Sequence, residues 1–129
     1  MIVVDSSAIV DALTAVAGTE ELRVRLSNEE LHAPSLLDVE VVSVVRRLTL
    51  TGNMSASRGH DLLSDFDDLP IRRWPLAGVL RRRAFQLRDT ISAYDAAYVV
   101  LAESLDCPLL TRDARLARAG GHGVPIEVL

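Results

Sequence analysis

The chain predicts an α/β fold built on a parallel sheet. Three observations carry that prediction. Short, nearly all-apolar runs alternate with helical segments along the whole chain. Proline, glycine and helix-capping residues punctuate them, and acidic residues follow directly on predicted strand ends. Strands that alternate with helices fold as parallel sheets, because each helical crossover returns the chain to the same end of the sheet.

The elements follow in order. Ile2-Val3-Val4-Asp5 is an apolar run read as a buried strand. Ser6 to about Ala17 is helical and Gly18 stops it. Thr19 to Ser27 is a second helix with Thr19 as N-cap, and Leu31-His32-Ala33 is a strand closed by Pro34. Ser35 caps a long helix to about Thr51, ended by Gly52, and Ser55 to Asp68 is the next helix. Leu69 to Trp74 holds a third strand between prolines. Leu76 to Arg88 and Ser92 to Leu105 are helical. Pro108 to Thr111 is a strand, Asp113 to Ala119 a short helix ended by Gly120-Gly121, and Pro125 to Leu129 the last strand. Caps and breakers set these boundaries. With 129 residues, no repeat and no linker, residues 1–129 read as one domain.

Composition narrows the class. The chain is 49% hydrophobic but only 4% aromatic, so its core is aliphatic. No apolar run reaches the length of about 18 residues that a membrane span needs, and no leader is read. One cysteine, Cys107, excludes an internal disulfide, and the expected location is the cytoplasm. The net charge is −4, which argues against a general polyanion binder. Yet every one of the 14 basic residues is arginine, and Arg72, Arg73, Arg81, Arg82, Arg83 and Arg88 fall in one stretch. A local basic patch on an acidic chain is compatible with a nuclease whose metal ions bring their own positive charge.

Four carboxylates carry the chemistry. Asp5 ends the first strand and Asp113 follows the Leu109–Thr111 strand. Ligands of open parallel sheets sit at such ends, where strand order reverses. Each is equally well read as an N-cap. Glu40 lies inside the 35–51 helix, with Leu36, Leu37, Ser43 and Val44 on its own face. A charge there needs a partner, either an arginine or a metal. Asp95 stands three residues after Ser92, where a capping box would place an acid. Asp38 has the same relation to Ser35 and is read as a capping residue. As a set, Asp5, Glu40, Asp95 and Asp113 are what hard cations such as Mg²⁺ or Mn²⁺ require, namely oxygen ligands with room for water. Two such ions about 4 Å apart can drive phosphodiester cleavage. The Arg81–Arg83 run reads either as a solvated helix face or as an RNA contact, and the valine-rich 35–51 helix has more apolar surface than one core face needs.

At four segments the chain resembles the PIN-domain family and its VapC-type toxins. They are Val3-Val4-Asp5-Ser6-Ser7-Ala8, Pro34-Ser35-Leu36 through Glu40, Tyr94-Asp95-Ala96-Ala97-Tyr98, and Leu110-Thr111-Arg112-Asp113-Ala114-Arg115-Leu116. The resemblance covers the whole chain. It implies a three-layer α/β/α sandwich with a short parallel sheet in the order 3-2-1-4-5. It implies Mg²⁺ or Mn²⁺ at Asp5, Glu40, Asp95 and Asp113, with Ser6 and Thr111 supporting the acids by hydrogen bonds. It further implies RNA cleavage, a homodimer and a small cognate antitoxin. Arg112 joins Arg81, Arg82 and Arg83 as an expected RNA contact. Some relatives add an acid just after the last one; Arg115, Leu116 and Ala117 offer none here.

Other classes fit less well. His32, His60 and His122 are scattered and read as structural or solvated, so a metal-free histidine nuclease is disfavoured. A receiver domain requires a lysine, and the chain has none. A dehalogenase-type phosphatase requires a second acid at position 7, which is Ser7. A non-catalytic PIN-like binding module is the alternative reading, and the complete acid set argues against it.

Overall fold

A computed structural model describes all residues, 1–129. Its five strands are β1 (Ile2–Val4), β2 (Leu31–Pro34), β3 (Ile71–Trp74), β4 (Leu109–Thr111) and β5 (Ile126–Val128). They form one sheet in the order β3-β2-β1-β4-β5, and every pairing is parallel. Seven helices connect them: α1 (Ser6–Leu13), α2 (Glu20–Ser27), α3 (Leu36–Leu50), α4 (Ala56–Asp67), α5 (Val79–Gln86), α6 (Ala93–Leu105) and α7 (Ala114–Ala117).

The all-apolar strands are explained by burial on both sheet faces. Ile2, Val4, Leu31, Ala33, Ile71 and Leu110 pack with α1 to α4 in one core. Val3 and Leu109 point the other way and pack with α6, Ala84, Leu87 and Leu116 in a second core. The period of two divides each strand between the cores, which gives a three-layer α/β/α sandwich. α6 lies against the sheet with an unbroken buried run, Ala96 to Ala102.

Three helices differ from the sequence reading. α1 stops at Leu13 because the Thr14 hydroxyl bonds back to the Val10 carbonyl at 2.8 Å and Ala15 turns to φ 51°. α5 starts only at Val79, since Gly78 before it has φ 57°. α7 is a single turn. Two caps also differ. Thr19 precedes α2, but its hydroxyl donates to the Val16 carbonyl at 2.6 Å, and Ser35 caps α3 by no side-chain bond. Asp38 is not a capping residue either. It is held by Arg73 of β3, at 2.9 and 3.2 Å. No helix is long and apolar enough to cross a membrane.

Candidate active site

The strand order reverses between β1 and β4, and the chain leaves both at their C-terminal ends. β1 hands over to α1 through Asp5, and β4 to α7 through Asp113. Both acids are N-caps as well as cleft residues. Asp5 Oδ1 accepts the Ala8 amide at 3.0 Å, and Asp113 Oδ1 accepts the Arg115 amide at 2.9 Å. The capping reading therefore holds for both, and the cap position at a strand end beside the switch point is compatible with the site reading.

Asp5 is buried and clamped. Oδ1 also accepts from the Ser7 hydroxyl at 2.7 Å, and Oδ2 accepts from the Thr111 hydroxyl. Thr111 in turn accepts the Asp113 amide at 3.0 Å, so one hydroxyl ties the two strand ends together. Thr111 supports Asp5 as expected. Ser6 does not: its hydroxyl bonds to neither acid, and the neighbouring Ser7 occupies that role. Ser7 Oγ also accepts the Arg112 amide at 3.0 Å, so it belongs to both crossovers. Burial holds the Asp5 carboxyl above its ordinary value, with a lesser push from Asp113, against the three hydrogen bonds.

Glu40 comes from the second turn of α3. Its partner is the Tyr98 hydroxyl on α6, not an arginine, which settles the ion-pair alternative. Burial again raises the Glu40 carboxyl, and the charges of Asp5 and Asp95 add to it. The Tyr98 phenol is itself driven far up, first by burial and then by its bond to Glu40, so it stays a proton donor. Tyr98 was missed in the sequence. A signal existed: a phenol in an otherwise apolar helix needs a polar partner, and Tyr98 lies three residues after Asp95, on the same face.

Asp95 is free of capping duty. Ser92 Oγ accepts the Asp95 amide at 3.1 Å, but no reciprocal bond engages the carboxylate. With Asp113 it lines an open cleft of about 360 Å³ between the start of α6 and α7. Asp113 is covered by Arg115, whose Nε and Nη2 reach its two oxygens at 3.1 and 2.8 Å. That bond lowers the Asp113 carboxyl below its ordinary value.

Asp5, Glu40, Asp95 and Asp113 thus share one electrostatic neighbourhood, although no three such side chains converge into a ready-made metal cage. The donors fit a hard divalent cation. All are carboxylate oxygens, and the raised Asp5 and Glu40 mark a negative field that such an ion would relieve. The histidines lie elsewhere. His32 is buried between Glu30 and Trp74, His122 binds the Val124 amide, and His60 is exposed.

The expected arginines divide. Arg83 is consumed by Glu103, Gln86 and the Gly121 carbonyl. Arg112 is consumed by Asp11 at 3.0 Å and by the Leu129 carbonyl. Both guanidinium groups are taken up by partners within the protein. Arg81 and Arg82 are exposed on α5 but do not line the cleft.

A parallel α/β/α sandwich with acids at its switch point is the architecture of a PIN domain, and the PIN-domain family model matches residues 2–122. The chain belongs to the PIN-domain family, within which it groups with the VapC ribonucleases. It is 45% identical over 130 residues to Ribonuclease VapC12 of Mycobacterium tuberculosis, covering 100% of this chain and 99% of that one. It is 40% identical over 129 residues to VapC ribonuclease Mb0985 of Mycobacterium bovis, covering 100% and 98%. The fold is shared with DNA-bound VapBC from Salmonella typhimurium, at TM-score 0.72 and 12% identity over 98% of this chain and 96% of that one. It is shared equally with VapBC2 from Rickettsia felis bound to promoter DNA, at TM-score 0.71 and 14% identity over 99% and 98%.

Proposed function

We propose that this protein is the toxin of a VapBC-type pair, an endoribonuclease that depends on Mg²⁺ or Mn²⁺. The observation that supports the reading is that Asp5 and Asp113 stand at the two strand ends of the sheet's switch point, that the charges of Asp5 and Asp95 act on Glu40, and that Asp95 and Asp113 share one cleft. Relatives that match the whole chain are named ribonucleases, which supports RNA as substrate.

On this reading Asp5, Glu40, Asp95 and Asp113 hold the metal. The chemistry such an ion would supply there is activation of a water toward phosphorus and neutralisation of charge on the leaving oxygen. The chain's own task is to keep the acids aimed. Ser7, Thr111 and the Ala8 amide leave Asp5 a single orientation, and Tyr98 does the same for Glu40. Outer partners of this kind fix ligand geometry. No side chain attacks the substrate, and the 2′-hydroxyl has no part as nucleophile.

The partner proposed is a small antitoxin, in keeping with the VapBC complexes that share the fold. A homodimer is proposed as well. α3 exposes Val39, Val42 and Leu50, apolar surface that its own core leaves uncovered. End analysis of cleaved RNA tests the chemistry. The products should carry 5′-phosphate and 3′-hydroxyl ends, EDTA should abolish cleavage, and Mg²⁺ or Mn²⁺ should restore it. Cyclic phosphate ends, or full activity in EDTA, would overturn the mechanism.

A further inference from the structure

We propose that Arg115 and Arg118 of the α7 turn form a subsite for a backbone phosphate of single-stranded RNA, beside the acids, and that Arg115 reaches it by leaving Asp113. The proposal deepens the ribonuclease reading and rests on it.

The cleft next to the acids is lined by Thr90, Ser92, Asp95, Asp113, Arg115 and Arg118, among others. It is therefore the place where free arginine and candidate metal ligands share a wall. Arg118 is exposed, pairs with no carboxylate, and acts on Asp113 only through its charge. Arg115 is 82% exposed and engages Asp113 through Nε and Nη2. None of the other arginines lines this cleft: Arg83 and Arg112 are held by partners elsewhere, and Arg81 and Arg82 lie off it.

Charge then decides what the cleft binds. Asp95 and Asp113 against Arg115 and Arg118 give no net charge, so a phosphate gains little. Once a divalent cation engages Asp95 and Asp113, Arg115 is released from Asp113, and both guanidinium groups of this cleft are open to an anion. A guanidinium fork that fits a carboxylate fits a phosphate equally well. An exposed ion pair is also easily given up. Arg115 is thus a guard on Asp113 before the metal binds and an anion ligand afterwards, and two measurements on one variant should move in opposite directions.

The first measurement is Mn²⁺ binding to the metal-free protein, read by electron paramagnetic resonance. Arg115→Ala removes the competing cation and should tighten binding about two- to five-fold, the span of one exposed ion pair. The second is binding of a short labelled RNA, read by anisotropy across a salt series, with Ca²⁺ replacing Mg²⁺ to prevent turnover. Arg115→Ala and Arg118→Ala should each lower the log–log salt slope by about 0.7, one phosphate contact on a single strand. Arg118→Lys should keep the slope, and Arg81→Ala should leave it alone. Unchanged slopes in both alanine variants, or a slope lost with Arg81 instead, overturn the subsite. Weaker or equal Mn²⁺ binding in Arg115→Ala overturns the guard. Wild-type cleavage with Mg²⁺ distinguishes the failures. If it is present while the slopes stay unchanged, only the subsite falls; if it is absent, the ribonuclease reading falls and the subsite with it.

Discussion

The two walls of the candidate site are built on opposite principles. On one, Asp5 is buried, Glu40 is half-buried, and both are held by hydroxyls, from Ser7, Thr111 and Tyr98. Burial raises both carboxyls above their ordinary values. On the other, Asp95 and Asp113 face an open cleft, and Asp113 is lowered by an arginine two residues on. One wall is preset by tertiary packing, while the other is tuned by a cation from its own turn of chain. A metal site needs both properties: fixed ligands that define the geometry, and an accessible side through which ion and substrate enter.

The largest expected effect tests whether the walls act together. Asp5→Ala, Glu40→Ala, Asp95→Ala and Asp113→Ala should each cut RNA cleavage by more than about 100-fold, the upper range for losing a mere outer partner. Stability separates them. Asp5→Ala leaves the Thr111 hydroxyl and the Ala8 amide without their acceptor and should cost about 1–3 kcal/mol in urea unfolding. Asp113→Ala loses an exposed ion pair and one cap bond, and should cost about 1 kcal/mol. Equal costs would mean that the walls do not differ.

Next in size are the supporting hydroxyls. Tyr98→Phe and Thr111→Val should lower activity by about 10- to 100-fold without abolishing metal binding. Ser6→Ala should leave the rate within about two-fold, since its hydroxyl bonds to neither acid and a surface change of this kind has little effect. Ser7→Ala should resemble the Thr111 variant.

The pH dependence of the metal-free protein sharpens the contrast further. A carboxyl raised on folding contributes stability that is fully present below its unfolded value and is lost as pH rises through the folded one. That describes Asp5 and Glu40. A lowered carboxyl contributes stability above its unfolded value, lost as pH falls through the folded one, and that describes Asp113. Asp5→Asn should therefore melt higher than wild type near neutral pH without metal, and it should cleave no RNA. Asp113→Asn should show no such gain and should flatten the acid limb instead. The dominant cause at Asp5 is burial, with repulsion from Asp113 secondary, so the gain should persist at high salt. A gain that vanishes with salt would reverse that order.

The smallest effect concerns Arg83. Its bonds to Glu103 and the Gly121 carbonyl predict a loss of about 1 kcal/mol in Arg83→Ala, with no change in the salt slope of RNA binding.

Much of this architecture was legible in the residues alone. Alternating apolar runs, prolines and glycines located all twelve elements, because local chain stiffness and burial periodicity act over a few residues. The four acids also stood out as candidates, since a charge inside the apolar α3 and acids at strand ends are costly without a purpose. Partners were not legible. Whether Ser6 or Ser7 reaches Asp5 depends on the pitch of the first turn of α1. Glu40 could have met an arginine, and only the packing of α6 against the sheet delivers Tyr98 across 58 positions of sequence. Arg112, which stands beside Asp113, is turned away to Asp11, whereas Arg115 covers the acid. Sequence by itself singled out the candidate acids because composition and period are local properties. Tertiary structure decided which of them touch, because a hydrogen bond is settled within about 3 Å, and no spacing along the chain fixes a distance that small.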